Sequence, residues 1–181
     1  MQELDKFVLP ANFRGRSSFV CQAWWLVQSL LFSISPQFLY GWRVFLLRLF
    51  GAKIGKNVII RPSVRVTYPW KLTIGDNSWI GDNVELYTLG EINIGNNTVI
   101  SQRSYICTGS HDFTEIDFPI YAKAINIHDS VWLATDVFVS PGVTIHQNAV
   151  VGARSSVFND LAADYVYIGS PAKPIKPRNK N

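Results

Sequence analysis

Aliphatic residues recur along residues 54–157 with a period of six. Fifteen such positions form five sets of three, with six residues between neighbours in a set. This period fits neither a helix nor an alternating strand, and it is typical of a parallel β-helix in which three short faces make a coil of about 18 residues. The sequence therefore predicts an all-β prism of about five stacked coils. The positions are Ile54, Ile60, Val66, Ile74, Ile80, Leu86, Ile94, Ile100, Ile106, Ile127, Leu133, Val139, Ile145, Val151 and Val157.

Small or apolar residues flank these positions. We call the fifteen aliphatic positions rungs. Glycine or alanine often follows a rung directly, and another small or apolar residue often stands four positions after it. With fifteen positions in phase, chance periodicity in an Ile- and Val-rich chain is the weaker explanation. The second set is Val58, Ser78, Val84, Thr98, Ser104, Val131, Val137, Ala149 and Ser155.

The spacing between sets locates three insertions. The step from the third position of one coil to the next coil is eight residues after Val66 and after Leu86, and twenty-one after Ile106. All three insertions therefore fall at one corner of the prism, where solenoids often carry their functional loops. The long insertion, residues 107–126, contains His111, Asp112, Glu115 and Asp117. A loop of this length in a compact fold is usually functional.

Two apolar helices are predicted before the prism. Residues 1–17 read as an extended arm, and residues 18–35 as a helix stopped by Pro36. Ser35 and Pro36 resemble the N-cap and first turn of a second helix over residues 37–50. Residues 1–50, 51–160 and 161–181 thus form an N-terminal segment, the prism, and a C-terminal segment with a basic tail.

The apolar helices have three interpretations. They cap the open end of the prism or pack on a neighbouring subunit, they lie on a bilayer surface, or they span a membrane. The longest apolar run has about 16 residues, short of the roughly 20 that a span requires. The sequence favours the cap and leaves peripheral membrane contact open.

Composition adds few constraints. Charged residues make up 17% of the 181 residues, and the net charge is +4, so a basic patch could meet phosphates but does not indicate nucleic acid. Two cysteines, Cys21 and Cys107, form no disulfide framework and suit a reducing compartment. No basic and apolar leader opens the sequence. We therefore expect a cytoplasmic protein, with the inner face of the plasma membrane as the alternative.

Two segments resemble a known family. VWLATDVFVSPGVTIHQNAVVGARSSVFND, followed by IGSPAKPI, resembles the C-terminal signature of hexapeptide-repeat acyltransferases, and IGNNTVISQRSYICTGSHD resembles the catalytic segment of galactoside and maltose acetyltransferases. The branch that acetylates sugars in bacterial exopolysaccharide synthesis is the most similar. The resemblance implies a left-handed β-helix, a homotrimer, and O-acetyl transfer from acetyl-CoA without a metal.

The resemblance also implies catalytic residues. His111 matches the family's catalytic histidine, whose neutral imidazole takes the proton of a sugar hydroxyl as that hydroxyl attacks the thioester. Asp112 and Glu85 are the candidates for orienting the imidazole. Glu85 precedes a rung and should point outward beside the insertion corner.

The acetyl donor is expected to lie outside the prism, between two subunits. Thr135 and Ala153 match the family's backbone contacts to pantetheine. Lys173 and Lys176 match its basic residues near the phosphates of CoA, although a solubilising tail is the alternative. Trp132 points outward and forms either a wall of this groove or part of the trimer contact.

The acceptor position departs from the family pattern. The galactoside group has an asparagine near the acceptor sugar, at a position that aligns with Gly81, and Asn83 stands two residues later. The acceptor therefore need not be a free galactoside. It is expected to be a small or lipid-linked sugar in the synthesis of exopolysaccharide, capsule or O-antigen.

Two other functions fit a trimeric prism. A γ-class carbonic anhydrase would hold zinc through histidines, and His128 and His146 are predicted to stack on adjacent coils, but His111 follows a different set. A non-catalytic scaffold would explain the repeats and the apolar helices. It would leave the histidine loop and the SPAK segment without a role.

Overall fold

The computed structural model describes residues 2–179, which form a three-sided prism capped by two helices. The strands are β1 Lys53–Ile54, β2 Ile59–Ile60, β3 Arg65–Val66, β4 Leu72–Ile74, β5 Trp79–Ile80, β6 Glu85–Tyr87, β7 Ile92–Ile94, β8 Val99–Ile100, β9 Tyr105–Cys107, β10 Gly109–His111, β11 Ile120–Ala122, β12 Ile125–Ile127, β13 Trp132–Leu133, β14 Phe138–Val139, β15 Thr144–Ile145, β16 Val150–Val151, β17 Ser156–Val157, β18 Tyr165–Ile168 and β19 Lys173–Pro177. The helices are α1 Ser18–Val27, continued by a π-helical turn over Gln28–Phe32, and α2 Tyr40–Leu49. Short 3₁₀ turns cover Leu4–Lys6 and Pro69–Lys71.

Three parallel sheets make the faces of the prism. Sheet 1 has the order β1-β4-β7-β12-β15, and sheet 3 has the order β17-β14-β9-β6-β3. Sheet 2 runs β2-β5-β8-β13-β16-β18, and β19 adds to its end as an antiparallel strand. The chain visits the sheets in turn through five full coils, and β18 begins a sixth.

The predicted rungs form the core. All fifteen are buried, and none exposes more than 8% of its surface. The residues four positions after a rung are buried as well, including the polar Ser78, Thr98, Ser104 and Ser155. The hydroxyl groups of Ser78, Thr98 and Ser104 donate to carbonyls of the next coil, at 2.7 Å to Gly95, 2.8 Å to His128 and 3.0 Å to Ala134. The Ser155 hydroxyl accepts from the Gly169 amide at 3.0 Å. The period-six prediction is therefore confirmed.

The glycines after the rungs allow the coils to approach each other. A Cβ atom on Gly75 would lie 2.7 Å from the backbone nitrogen of Asn96, and one on Gly95 would lie 2.7 Å from that of Asp129. Two residues later the backbone takes positive φ, as at Asn77 and Asn97, a conformation that asparagine tolerates. These turns form the corners of the prism.

The insertions share one corner, as predicted. The links β3–β4, β6–β7 and β9–β12 all connect sheet 3 to sheet 1. The long insertion is an antiparallel hairpin of β10 and β11, in which His111 pairs with Ile120. Its placement confirms the predicted corner, and its hairpin form was not predicted.

The second helix starts later than predicted. It begins at Tyr40, and the interpretation of Ser35 and Pro36 as its cap is wrong. The Ser35 hydroxyl donates to the Phe32 carbonyl at 2.6 Å and accepts from Arg43 at 2.8 Å. Because the Arg43 guanidinium also binds the Pro36 carbonyl, this segment is held as a turn before the helix.

The helices close the first coil through side chains that bond the edge of each sheet. Arg48 donates to the Ile54 carbonyl of sheet 1, and Arg43 donates to the Ile60 carbonyl of sheet 2. Trp24 donates to the Val66 carbonyl of sheet 3, and the amide of Val66 donates to Gln28. Unpaired strand edges invite association, so the cap protects the prism as predicted. Within residues 2–179, no helix has the length and apolarity needed to cross a membrane.

Candidate active site

His111 ends strand β10 of the inserted hairpin. Its Nδ1 atom lies 2.9 Å from the Phe118 carbonyl oxygen. Because a carbonyl can only accept a hydrogen bond, the proton resides on Nδ1 and the Nε2 lone pair is free. The Phe118 ring stacks on the imidazole, with centroids 4.3 Å apart and planes 7° from parallel. These two contacts fix the tautomer and the orientation of the histidine.

Phe118 takes an uncommon backbone conformation to make these contacts. Its φ is 47°, a left-handed value that is rare for a bulky residue. Its amide donates to the Glu115 carbonyl at 3.2 Å, and the Asp112 amide donates to the Pro119 carbonyl at 2.9 Å. These bonds close the hairpin turn around the imidazole.

Asp112 is turned toward its own loop. Its carboxylate accepts from the Thr114 amide at 2.9 Å and the Thr114 hydroxyl at 2.6 Å. These two hydrogen bonds lower the pKa of Asp112 below its usual value. The structure therefore gives Asp112 a role in shaping the turn, while the Phe118 carbonyl holds the imidazole.

Glu85 lies on the outer surface of sheet 3, between Arg65 and Tyr105 on the neighbouring strands. Burial raises the pKa of this carboxyl, and Arg65 opposes the shift. The outward direction is as predicted. Beside it, a row of aromatic rings that was not predicted runs along the sheet at centroid separations of 5.9–6.1 Å, and within it Tyr105 and Phe138 are stacked. The row consists of Tyr87, Tyr105, Phe138 and Phe158.

The N-terminal arm reaches the hairpin. The Glu3 amide donates to the Ile116 carbonyl at 2.7 Å, and the Phe7 ring lies 5.9 Å from the His111 ring. No spacing rule joins residue 7 to residue 111, so this contact could not be predicted from the sequence.

The hairpin borders an open cleft of about 520 Å³. Aromatic and apolar surfaces lie beside polar ones, and Lys123 sits 5.5 Å from the centre of the Tyr121 ring. Mixed surfaces of this kind suit a polar ligand with a hydrophobic face. The lining residues are His111, Asp112, Phe113, Pro119, Ile120, Tyr121 and Lys123.

The residues expected to hold the acetyl donor lie elsewhere on the chain. Trp132 is half exposed on β13 of sheet 2, and its indole donates to Ser101 at 3.0 Å. Lys173 and Lys176 are exposed on β19 at the end of the same sheet. Arg178 fixes the segment after β19 by donating to the Ser130 carbonyl at 2.8 Å.

Thr135 and Ala153 occupy equivalent corner positions one coil apart, after β13 and β16. The Arg154 amide donates to the Thr135 carbonyl at 2.9 Å. In a three-sided prism, the corner that carries His111 lies across from sheet 2. Within one chain, the structure therefore does not bring the histidine together with Trp132 and the lysines.

The other candidate positions are structural. Asn83 is a turn residue with a φ of 56°, and its amide donates to Ser63 at 2.9 Å. His128 and His146 lie at the same corner of adjacent coils as predicted, with ring centroids 5.0 Å apart and the rings edge to face. Across residues 2–179, no three His, Cys, Asp or Glu side chains are grouped so that they could hold a metal ion.

Comparison with known proteins gives strong matches. A protein of Escherichia coli K12 that bears the name of a colanic acid biosynthesis acetyltransferase is 61% identical over 178 residues, covering 98% of each chain. Galactoside O-acetyltransferase of the same organism is 29% identical over 131 residues, or 71% of this chain and 64% of that protein. No protein-family model matches.

Solved structures match the fold. A hexapeptide-repeat acetyltransferase of Vibrio cholerae complexed with acetyl coenzyme A is 25% identical, with a TM-score of 0.82 and 92% of each chain covered. A galactoside acetyltransferase in complex with coenzyme A gives a TM-score of 0.82 at 23% identity, over 94% of this chain and 84% of that one. The left-handed parallel β-helix is confirmed.

Proposed function

The chain belongs to the hexapeptide-repeat acetyltransferases, and from this we propose that it moves the acetyl group of acetyl-CoA to a sugar hydroxyl in exopolysaccharide synthesis. The identity of 61% over nearly the whole length to a protein named for colanic acid biosynthesis supports a precursor of that polymer class as acceptor. The observation that carries the chemistry is the Nδ1 hydrogen bond of His111 to the Phe118 carbonyl, since it leaves Nε2 free as a base.

In the proposed reaction, the sugar hydroxyl binds beside Nε2 of His111. As the hydroxyl oxygen attacks the thioester carbonyl carbon, its proton passes to Nε2. The Phe118 carbonyl stabilises the imidazolium that forms. Collapse of the tetrahedral intermediate breaks the carbon–sulfur bond, and the imidazolium returns the proton to the CoA thiolate. The enzyme is regenerated without a covalent intermediate.

The proposed active site needs two subunits. His111 projects from the corner between sheets 3 and 1, while Trp132, Lys173 and Lys176 belong to sheet 2 across the prism. A homotrimer with side-by-side prisms would bring the corner of one chain to sheet 2 of its neighbour, three times over. The cationic lysines would then meet the phosphates of CoA, and the backbone at Thr135 and Ala153 would contact pantetheine.

The acceptor is tested by mass spectrometry. Purified protein and acetyl-CoA are offered nucleotide sugars and lipid-linked oligosaccharides, and products heavier by one acetyl group are sought. We expect one class of sugar acceptor to be acetylated, and calorimetry to show acetyl-CoA binding. Absence of binding, with a correctly folded protein, would overturn the proposal.

A further inference from the structure

The N-terminal helices carry an exposed apolar surface, which we call the cap face. Each member exposes more than a third of its side chain. On α1 and α2 these residues lie opposite the buried side, which contains Trp24 on the first helix and Leu47 on the second. The members are Phe19, Leu26, Leu30, Leu31, Ile34, Phe38, Leu39, Trp42, Phe45 and Leu49.

The cap face is continuous across both helices. The Trp42 indole donates to the Leu31 carbonyl at 3.0 Å, and the Trp42 and Phe45 rings stack 5.8 Å apart. A soluble monomer rarely exposes so many neighbouring large apolar side chains without a partner for them.

A neighbouring prism in the proposed trimer would not cover this face. Trp24 and Arg43 bond the edge of the first coil, so the helices lie over the end of the prism. Prisms that pack through their sides leave their ends uncovered. The occupant of the cap face therefore approaches along the prism axis.

The charge distribution identifies that occupant. Residues 1–75 contain ten Lys and Arg but only two acidic residues, Glu3 and Asp5, so no acid occurs from residue 6 to residue 75. Residues 76–181 contain seven Lys and Arg and eleven acids. Among the cations near the helices, Arg16, Lys53 and Lys56 are exposed, and no ion pair to them is seen among residues 2–179.

We propose that the cap face docks the enzyme on a bilayer that contains anionic phospholipid. Exposed Phe, Leu and Trp side chains would enter the interface between headgroups and acyl chains, as in amphipathic helices that lie on membranes. The surrounding cations would meet the lipid phosphates, and the lack of acids removes repulsion from an anionic surface. The inference stands apart from acetyl transfer, because neither the cap face nor its cations belong to the proposed active site.

Vesicle flotation of the full-length protein tests the inference. The vesicles contain phosphatidylcholine alone or with about a third phosphatidylglycerol, a lipid that supplies the negative surface. Phe45→Asp alters the cap face, and Phe158→Asp is the matched control, since these phenylalanines are 53% and 51% exposed at opposite ends of the prism. Lys53→Glu combined with Lys56→Glu reverses the charge. Thermal unfolding checks that each variant is folded.

The wild type and Phe158→Asp are expected to float with anionic vesicles and to dissociate as salt is added. Phe45→Asp should lower the bound fraction at least about tenfold, and the double charge reversal should lower binding to anionic vesicles. Absence of wild-type binding at low salt would overturn the inference. The inference would also be overturned if the wild type did not bind vesicles and Phe45→Asp had a lower assembly mass than the wild type by light scattering. A second copy of the chain would then occupy the cap face.

Discussion

The imidazole of His111 is held by Phe118 in two ways. The Phe118 carbonyl oxygen lies 2.9 Å from Nδ1, and the Phe118 ring stacks on the imidazole at 4.3 Å. The backbone carbonyl fixes the tautomer of this imidazole, as a carboxylate does in many catalytic histidines. The stacked ring restricts rotation of the imidazole.

Replacement of the stacked ring should slow catalysis without weakening donor binding. We expect Phe118→Ala to lower kcat about tenfold, because the imidazole gains freedom to leave the attacking geometry. The KM for acetyl-CoA should stay unchanged. Ile116→Ala, on the same turn and without a ring contact to His111, is the control. Steady-state kinetics of the two variants measure this effect. A Phe118→Ala kcat equal to that of the wild type would show that catalysis does not need the ring contact between Phe118 and His111.

The half-buried carboxyl of Glu85 should make stability depend on pH. Burial raises its pKa above the ordinary 4.5, so between the ordinary and the raised value the folded state holds more protons than the unfolded state. Stability contributed at this site therefore falls as pH rises through that window. We expect Glu85→Gln to raise the Tm at neutral pH and to have little effect near pH 4.

Thermal unfolding at several pH values measures this effect. Glu115→Gln, on the exposed hairpin turn, serves as the control and should shift the Tm little at any pH. If Glu85→Gln raised the Tm equally at acid and neutral pH, the raised pKa of the Glu85 carboxyl would not be the cause.

Arg43 should be essential to the cap. It is fully buried, and its guanidinium donates to the Ile60, Pro36 and Gln37 carbonyls and to the Ser35 hydroxyl. Arg43→Met would leave these acceptors without a donor, which we expect to lower the free energy of unfolding by about 3 kcal/mol or more. For a chain of this size that is a Tm decrease of about 6–12 °C.

Arg154→Met is the matched control for the cap. Its side chain is 80% exposed and makes one ion pair at 3.6 Å, so we expect a change within about 0.5 kcal/mol. Calorimetry or circular dichroism measures both variants. Equal Tm values for the two would mean that Arg43 does not hold the helices to the prism.

Mixed assemblies of the proposed homotrimer should test whether the active site is shared between subunits. His111→Ala would remove the base, and Lys173→Glu with Lys176→Glu would repel the CoA phosphates. Each variant alone is expected to be nearly inactive at low acetyl-CoA. In a trimer that contains both variants, one cleft in three combines an intact histidine with an intact neighbour, so about a third of the wild-type activity should return.

Co-expression with two affinity tags supplies these mixed trimers, and thiol release from acetyl-CoA measures their rate. Lys56→Ala, a lysine on the capped end of the prism, should leave the rate unchanged. No recovery of activity in mixed trimers would place the base and the donor site on the same chain.

The prism was predictable because its signal is repetitive. Each coil needs an aliphatic side chain such as Ile80 or Leu133 on its axis, so the buried positions can be identified by counting. The insertion corner followed from the same count, and so did the placement of His128 and His146 at one corner of adjacent coils.

The contacts of His111 and the start of the second helix were harder to predict from the sequence. The partner of His111 is a backbone carbonyl, which leaves no residue-type signal at position 118. Ser35 and Pro36 carry a helix-start pattern, but the buried Arg43 binds the groups around them and the helix starts at Tyr40. Arg43 is an arginine within an apolar helix, and its residue type gives no signal of burial. Such tertiary contacts override local propensity.

The catalytic role of His111 can be measured most directly by comparing its alanine variant with a histidine outside the hairpin. With acetyl-CoA and the identified acceptor, we expect His111→Ala to lose at least about 10²-fold in kcat while its fold and acetyl-CoA affinity are kept. His146→Ala, directly after β15 of sheet 1, should turn over like the wild type. Wild-type turnover by folded His111→Ala would contradict the assignment of this histidine as the base.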